Sequence, residues 1–306
     1  MNGARIVILG AGYSARAFAR ANPGGTEIAG TTRTPEKRTA LSAAGISPLL
    51  FADGQVGPDL EAALARATHL VVSAAPGEAG DPMLVALGER LRAGLPSLGW
   101  IGYLSTVGVY GDHGGAWIDE TAACRPVSRR SVQRVAAEQQ WLRLGEAARL
   151  PVAVLRLAGI YGPGRNAFVN LANGTARRLV KPGQVFNRIH VDDIAGALWH
   201  LAAARLGGLW NVADDEPAPP QDVVAYAAEL MGLPPPPETD FATAELSPMA
   251  RSFYGENKRV SNARLKAAGY AFLFPDYRTG LELLWAEGRW DGAGGADGRS
   301  PMGGGE

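Results

Sequence analysis

Apolar positions in the first half of the chain come in short unbroken runs, separated by amphipathic stretches. The runs Arg5–Gly10, Glu27–Thr32, Ser47–Ala52, His69–Ala74, Trp100–Ser105 and Val152–Leu157 predict strands. Helical spacing fills the intervals at Ser14–Asn22, Pro35–Ala44, Asp59–Ala67, Pro82–Ala93 and Ser128–Ala148. Strand–helix alternation at this spacing predicts a doubly wound parallel sheet with right-handed crossovers. Continuous rather than alternating apolar strands fit a sheet covered on both faces. The second half is less regular: a helix over Val191–Ala204, a strand over Leu209–Ala213, a helix over Pro220–Met231 and a rigid spacer at Pro234–Pro237. Residues 291–306 are Gly-rich without hydrophobic period, which predicts a disordered tail.

The first strand runs directly into Gly10-Ala11-Gly12-Tyr13-Ser14-Ala15, a Gly-x-Gly-x-x-Ala turn that opens the first helix. In this dinucleotide fingerprint Gly10 permits the tight turn and Gly12 lets the backbone approach a pyrophosphate. Ala15 keeps helix and strand close. The helix N-terminus offers free N–H groups and partial positive charge to phosphate. Gly10, Gly12, Tyr13, Ser14 and Ala15 are therefore the candidate nucleotide contacts. An NAD site places an acid about 20 residues on, for the ribose 2′-hydroxyl. The second strand here ends Thr31-Thr32-Arg33-Thr34, with no acid, and Arg33 suits the 2′-phosphate of NADP, aided by Arg38. The expected cofactor is NADP rather than NAD.

Composition narrows the class without changing it. The 306 residues are 46% apolar and 20% charged, and 30 basic residues balance 30 acidic ones. Such a chain buries a large core without a metal or disulfide staple, and no metal site is expected. Zero net charge gives no sign of a nucleic-acid or membrane-surface partner. The single cysteine, Cys124, and the lack of a leader-like start point to a cytoplasmic protein. No apolar run approaches the ~18 residues of a membrane span.

Further motifs follow in a fixed order: Ser105-Thr106-Val-Gly-Val-Tyr110-Gly111, Arg156-Leu-Ala-Gly-Ile-Tyr161-Gly-Pro-Gly-Arg165, His190-Val-Asp-Asp-Ile-Ala195 and Asn211-Val-Ala-Asp. After a fingerprint turn, this order resembles the extended short-chain dehydrogenase/reductases, the NAD(P)-dependent epimerase/dehydratase family. The resemblance covers nearly everything up to Leu284. It implies a Rossmann sheet of about seven strands with a smaller C-terminal substrate lobe. The nucleotide-binding domain would comprise residues 1–156 plus about 190–213, and the lobe about 157–189 plus 214–290. It implies Asp53 near adenine, Ala74 and Ala75 along the cofactor, and Thr106 as the catalytic hydroxyl. Tyr110 and Tyr161 would line a substrate cleft entered by Arg165 and Arg188, while His190 would be structural. Members often form homodimers through two long helices, and the same is implied here.

The chain departs from that family where the proton moves. The family's Tyr-x-x-x-Lys relay lies four and eight residues before a helical Glu, here Glu138, which puts Arg134 at the Lys position and Arg130 at the Tyr position. Arginine neither accepts nor gives up a proton near neutrality, so Arg130 cannot do the tyrosine's work. Arg134 retains the donors to bind a ribose hydroxyl or phosphate. Tyr254-Gly-Glu-Asn-Lys258 has the spacing of the relay but not its place. Sugar-nucleotide epimerases generally carry an Arg four residues before the motif His, and Phe186 stands there instead, which argues against a nucleotide-sugar substrate. Two readings follow. One is an NADP-dependent oxidoreductase or epimerase acting on a small anionic metabolite through Thr106, Arg130 and Arg134. The other is a non-catalytic NADP(H) sensor or partner-binding protein.

Overall fold

The structure is a computed structural model that describes residue 1 and residues 3–292. Of the expected disordered tail, residues 293–306 lie outside the described residues. Asp291 and Gly292 are described and lie against Gly164.

Seven strands form one wholly parallel sheet: β1 (Arg5–Leu9), β2 (Glu27–Thr32), β3 (Ser47–Leu50), β4 (His69–Val72), β5 (Trp100–Thr106), β6 (Val152–Leu157) and β7 (Gly208–Val212). Their spatial order is 7-6-5-4-1-2-3. The order reverses between β1 and β4, and the crevice outside the carboxyl ends of these strands is where such sheets bind ligands. The helices α1 (Tyr13–Arg20), α2 (Arg38–Ala43), α3 (Pro58–Arg66), α4 (Pro82–Ala93) and α5 (Arg129–Ala148) link the strands or cover the sheet. The expected strand boundaries hold to within about two residues, while α2 begins at Arg38 after a short 3-10 turn at Pro35–Lys37.

Helices on both faces explain the unbroken apolar strands. One face packs β4 Leu70 and Val72 with Leu87 of α4 and Trp141 of α5. The other packs β1 Ile6 and Ile8 with Phe18 of α1. Trp199, on the helix Val191–Ala203, stacks on Phe18 with ring centroids 4.4 Å apart, and its Nε1 donates to the Phe18 carbonyl. Val260 and Leu265 join this second cluster, and the Tyr270 hydroxyl donates to buried Asp193 at 2.8 Å. Residues 259–272 thus pack with the nucleotide-side core, although the motif order assigned them to the lobe.

The lobe has its own apolar centre, built from Phe168, Val223, Ala227, Tyr277, Leu281 and Leu284. Short parallel pairs stitch distant segments together: Gly159–Tyr161 with Arg188–His190, and Arg178–Val180 with Glu238–Asp240. No helix among the described residues is long and apolar enough to cross a membrane.

Candidate active site

The fingerprint turn sits at the β1/β4 switch point. Gly10 has φ +93°, and a Cβ there would lie 2.9 Å from the Ala74 backbone nitrogen, so both conformation and space demand glycine. Thr31 of β2 holds the turn, its Oγ1 accepting from Gly10 N–H at 2.7 Å and its carbonyl from Ala11 N–H at 2.9 Å. Gly12 is different. It caps α1 with an ordinary φ of −98°, and a Cβ there would meet no atom within 4 Å beyond its chain neighbours. The space over Gly12 is open, and no side chain caps α1, so the first-turn N–H groups keep their hydrogens for a ligand. Ser14 and Ala15 are buried and Tyr13 is half-buried.

Around this turn, Arg33 follows β2, exposed and without a hydrogen-bond or ion-pair partner among the described residues. Asp53 is exposed in a left-handed turn with φ +53°, just past β3. Ala74 is half-buried beside Gly10, and Ala75 is exposed. Arg33, Asp53, Ala74 and Ala75 all follow the carboxyl ends of β2, β3 and β4, the edge of the sheet on which the turn after β1 lies.

Thr106 ends β5. Its Oγ1 accepts from Gly108 N–H at 3.1 Å, which leaves its own hydrogen to donate elsewhere. The first turn of α5 comes close. A Cβ on Gly108 would lie 3.3 Å from Ser131 Oγ and 3.4 Å from Thr106 Oγ1, so both hydroxyls flank the same glycine. Ser128 caps α5 by accepting from Ser131 N–H, and the two serine hydroxyls are 2.8 Å apart. Sequence reasoning missed this serine pair. Its only signal was an i, i+3 spacing that reads as a helix cap.

The two arginines of α5 differ. Arg130 is exposed and unpartnered among the described residues, whereas its neighbour Arg129 pairs with Glu78 at 2.5 Å. Arg134 is half-buried, and its Nη1 donates to the Tyr103 hydroxyl at 3.0 Å and the Leu104 carbonyl at 2.9 Å. It therefore ties α5 to β5 while its remaining N–H groups stay available.

Beneath them lies a buried ionic group. Arg156 donates to Glu138 through Nη2 at 2.8 Å and through Nε at 3.2–3.3 Å. Ser105 Oγ donates to the same carboxylate. Arg156 Nη1 is buried without a hydrogen-bond partner among the described residues, and Nη2 also reaches Cys124 Sγ at 3.4 Å. The half-buried Cys124 thiol is pushed up, chiefly by burial, so this cysteine is not an activated nucleophile.

Three expected substrate contacts are redirected by the structure. Tyr110 is fully buried, its ring under Arg156 and its hydroxyl donating to Asn211 Oδ1 at 2.7 Å. It is a core residue, because the turn after β5 points it inward. Tyr161 is also buried, packed against Gly280 with its hydroxyl toward the Asp276 carbonyl. Arg188 turns into the lobe, donating to the carbonyls of Phe186 and Ala218 at 3.0 and 3.1 Å over the Tyr277 ring. Asp214, whose carboxyl burial raises well above the usual range, is its charge neighbour. Arg165 alone of the four is exposed, on a loop beside Tyr13. His190 is buried, and burial lowers its pKa to about 4, so it stays neutral near pH 7. Tyr254 packs on Phe186 and Phe241, and Lys258 donates to Glu256 and the Gly111 carbonyl, so the two do not act as a relay. Among the described residues no three potential metal ligands cluster.

A sequence profile for the NAD dependent epimerase/dehydratase family matches residues 100–213. Protein YeeZ of Escherichia coli K12 is 30% identical over 292 residues, covering 89% of this chain and 97% of that protein. A conserved protein of unknown function from Silicibacter pomeroyi is 50% identical, with a TM-score of 0.84 over 92% of this chain and 98% of its own. A human epimerase family protein, SDR39U1 isoform 2, solved with NADPH, shares the fold at 20% identity, with a TM-score of 0.68 over 92% of this chain and 99% of its own.

Proposed function

The chain belongs to the NAD-dependent epimerase/dehydratase family of extended short-chain dehydrogenase/reductases, and from that premise we propose an NADP(H)-dependent oxidoreductase or epimerase acting on a small anionic metabolite. The observation that carries this reading is the open space over Gly12 at the uncapped N-terminus of α1, at the carboxyl end of β1 in the sheet whose β5 ends in Thr106. Residues suited to hold the nucleotide are present. Gly10, Gly12 and the α1 N-terminus take the pyrophosphate, Arg33 takes the 2′-phosphate, and the free N–H groups of Arg134 take a ribose hydroxyl. The fold accommodates NADPH in the human protein. When bound, NADP supplies or accepts a hydride.

This chain's own residues do the rest. Thr106 donates a hydrogen bond to a substrate oxygen, since its lone pair is already engaged by Gly108. Arg130 stabilises negative charge that develops on that oxygen, or orients an anionic group, by fixed charge rather than proton transfer. A compact oxygen centre thus meets a hydroxyl donor and a permanent cation, with protons exchanged through the Ser128 and Ser131 hydroxyls or solvent.

Two outcomes test this. NADPH should bind more tightly than NADH in a Trp-fluorescence titration, and Arg33→Ala should remove most of that preference, worth about 10-fold for one exposed phosphate contact. Tighter NADH binding by wild type would sink the Arg33 assignment. Arg130→Ala should lower kcat/KM about 10²-fold on a panel of phosphorylated and carboxylated carbonyl compounds, the scale of losing one charge-stabilising donor. Unchanged kinetics would remove Arg130 from the site. A second reading, a non-catalytic NADP(H) sensor, draws on Arg130, which moves no proton near neutrality, standing exposed where the family has its tyrosine. Tight NADPH binding with no turnover of any panel member would favour it.

A further inference from the structure

Tyr13 stands at the first position of α1, inside the nucleotide turn, yet its hydroxyl reaches across 150 positions of sequence to donate to the Pro163 carbonyl at 3.0 Å. Pro163 belongs to the tight loop 162–166 that carries Arg165. The loop is closed on itself. Gly162 and Arg165 exchange backbone hydrogen bonds at 2.9 and 3.0 Å, and Asn166 Nδ2 donates to the Gly162 carbonyl at 2.8 Å. A loop braced this way moves as one piece, so fixing the Pro163 carbonyl fixes Arg165.

The approach of Tyr13 is built into the sequence. Gly162 has φ +152°, and a Cβ there would come within 2.7 Å of the Tyr13 hydroxyl oxygen. On the other side, His190 Nδ1 accepts from Asp192 N–H at 3.2 Å, which puts the imidazole proton on Nε2. That Nε2 is buried, without a hydrogen-bond partner among the described residues, and 3.5 Å from the same hypothetical Cβ. The Tyr13 hydroxyl is thus the donor that holds the loop from the nucleotide side, while Gly164 N–H and Asn166 Nδ2 anchor it to the Trp290 carbonyl on the lobe side.

We infer that Tyr13 is a positioning residue that couples the nucleotide turn to the Arg165 loop, so that an occupied turn sets the anion-binding cation in place. This rests on the proposed reading of a nucleotide at Gly10–Ala15. Tyr13→Phe removes one hydroxyl and keeps the ring packing, which makes it the test. Hydrogen exchange of peptides covering 162–166 is followed with and without saturating NADPH. In wild type, NADPH should slow exchange there about fivefold or more, as expected when a local opening is suppressed. In Tyr13→Phe, with NADPH raised until binding is saturated, the NADPH-dependent slowing disappears. A merely structural tyrosine would speed exchange equally with and without NADPH. Equal NADPH-dependent protection in wild type and Tyr13→Phe overturns the inference. NADPH binding to wild type without any protection of the loop overturns it as well. No NADPH binding to wild type overturns the functional reading itself, and the inference with it.

Discussion

Replacing Glu138 with alanine should lower the stability of the fold by about 3–5 kcal/mol, the usual cost of stripping one partner from a buried ion pair. The carboxylate takes hydrogen bonds from Arg156 Nε and Nη2 and from Ser105 Oγ, and Arg156 is only 4% exposed. The variant would leave a buried guanidinium without its carboxylate, with only the Tyr110 ring and the Cys124 sulfur against it. The melting temperature should fall on the order of 10 °C for a chain of this size. Urea denaturation measures the effect directly. Glu138→Ala combined with Arg156→Met should recover part of the loss, since the two residues share one interaction. A Glu138→Ala variant within about 1 kcal/mol of wild type would mean that the pair is not buried as described. The consequence reaches the site, because Ser105 precedes Thr106 on β5 and Glu138 follows Arg134 by one turn of α5.

Gly12→Val should cost nucleotide affinity at least about 100-fold while leaving the fold intact, because the lost contact is close approach of backbone to a pyrophosphate. The two fingerprint glycines make a matched pair of experiments. Valine at Gly12 has an ordinary φ and open space, so thermal melting should stay within about 2 °C of wild type while NADPH titration fails. Valine at Gly10 would face φ +93° and the Ala74 backbone, and should unfold the turn itself. Retained NADPH binding in Gly12→Val would show that the nucleotide does not pass over this residue.

What the sequence disclosed divides along a physical line. β2 and β6 appear with the residue bounds that their apolar runs predict, and the fingerprint turn is where strand–Gly–helix spacing put it. Such features are local, set by continuous apolar runs and glycine conformations within a dozen residues. Tyr110, Tyr161 and Arg188 belong to motifs beside the crevice, yet their side chains point away from it. A motif records that a residue is near a site; the turn that aims its side chain is decided by packing from elsewhere in the chain. Tyr13 meeting Pro163, and Ser131 of α5 coming up beside Gly108 after β5, are contacts between segments that sequence spacing cannot bring together. The Arg130–Arg134 pair was visible because helical periodicity from Glu138 is local, but only the fold separates a tied Arg134 from an unpartnered Arg130.

The packing of Val260, Leu265 and Tyr270 onto the α1 side of the sheet has a consequence for how the protein is made. The ribosome delivers the chain from its N-terminus, so the first six strands exist well before residues 259–272 do. Until those residues arrive, apolar side chains such as Ile189 and Ile194 lack part of their cover. About 100 residues of synthesis separate the sixth strand from that cover, on the order of 10 s at ordinary elongation rates. During that interval the α1-side cluster lacks the residues that complete it, so the sheet is fully covered only once the C-terminal segment has been made.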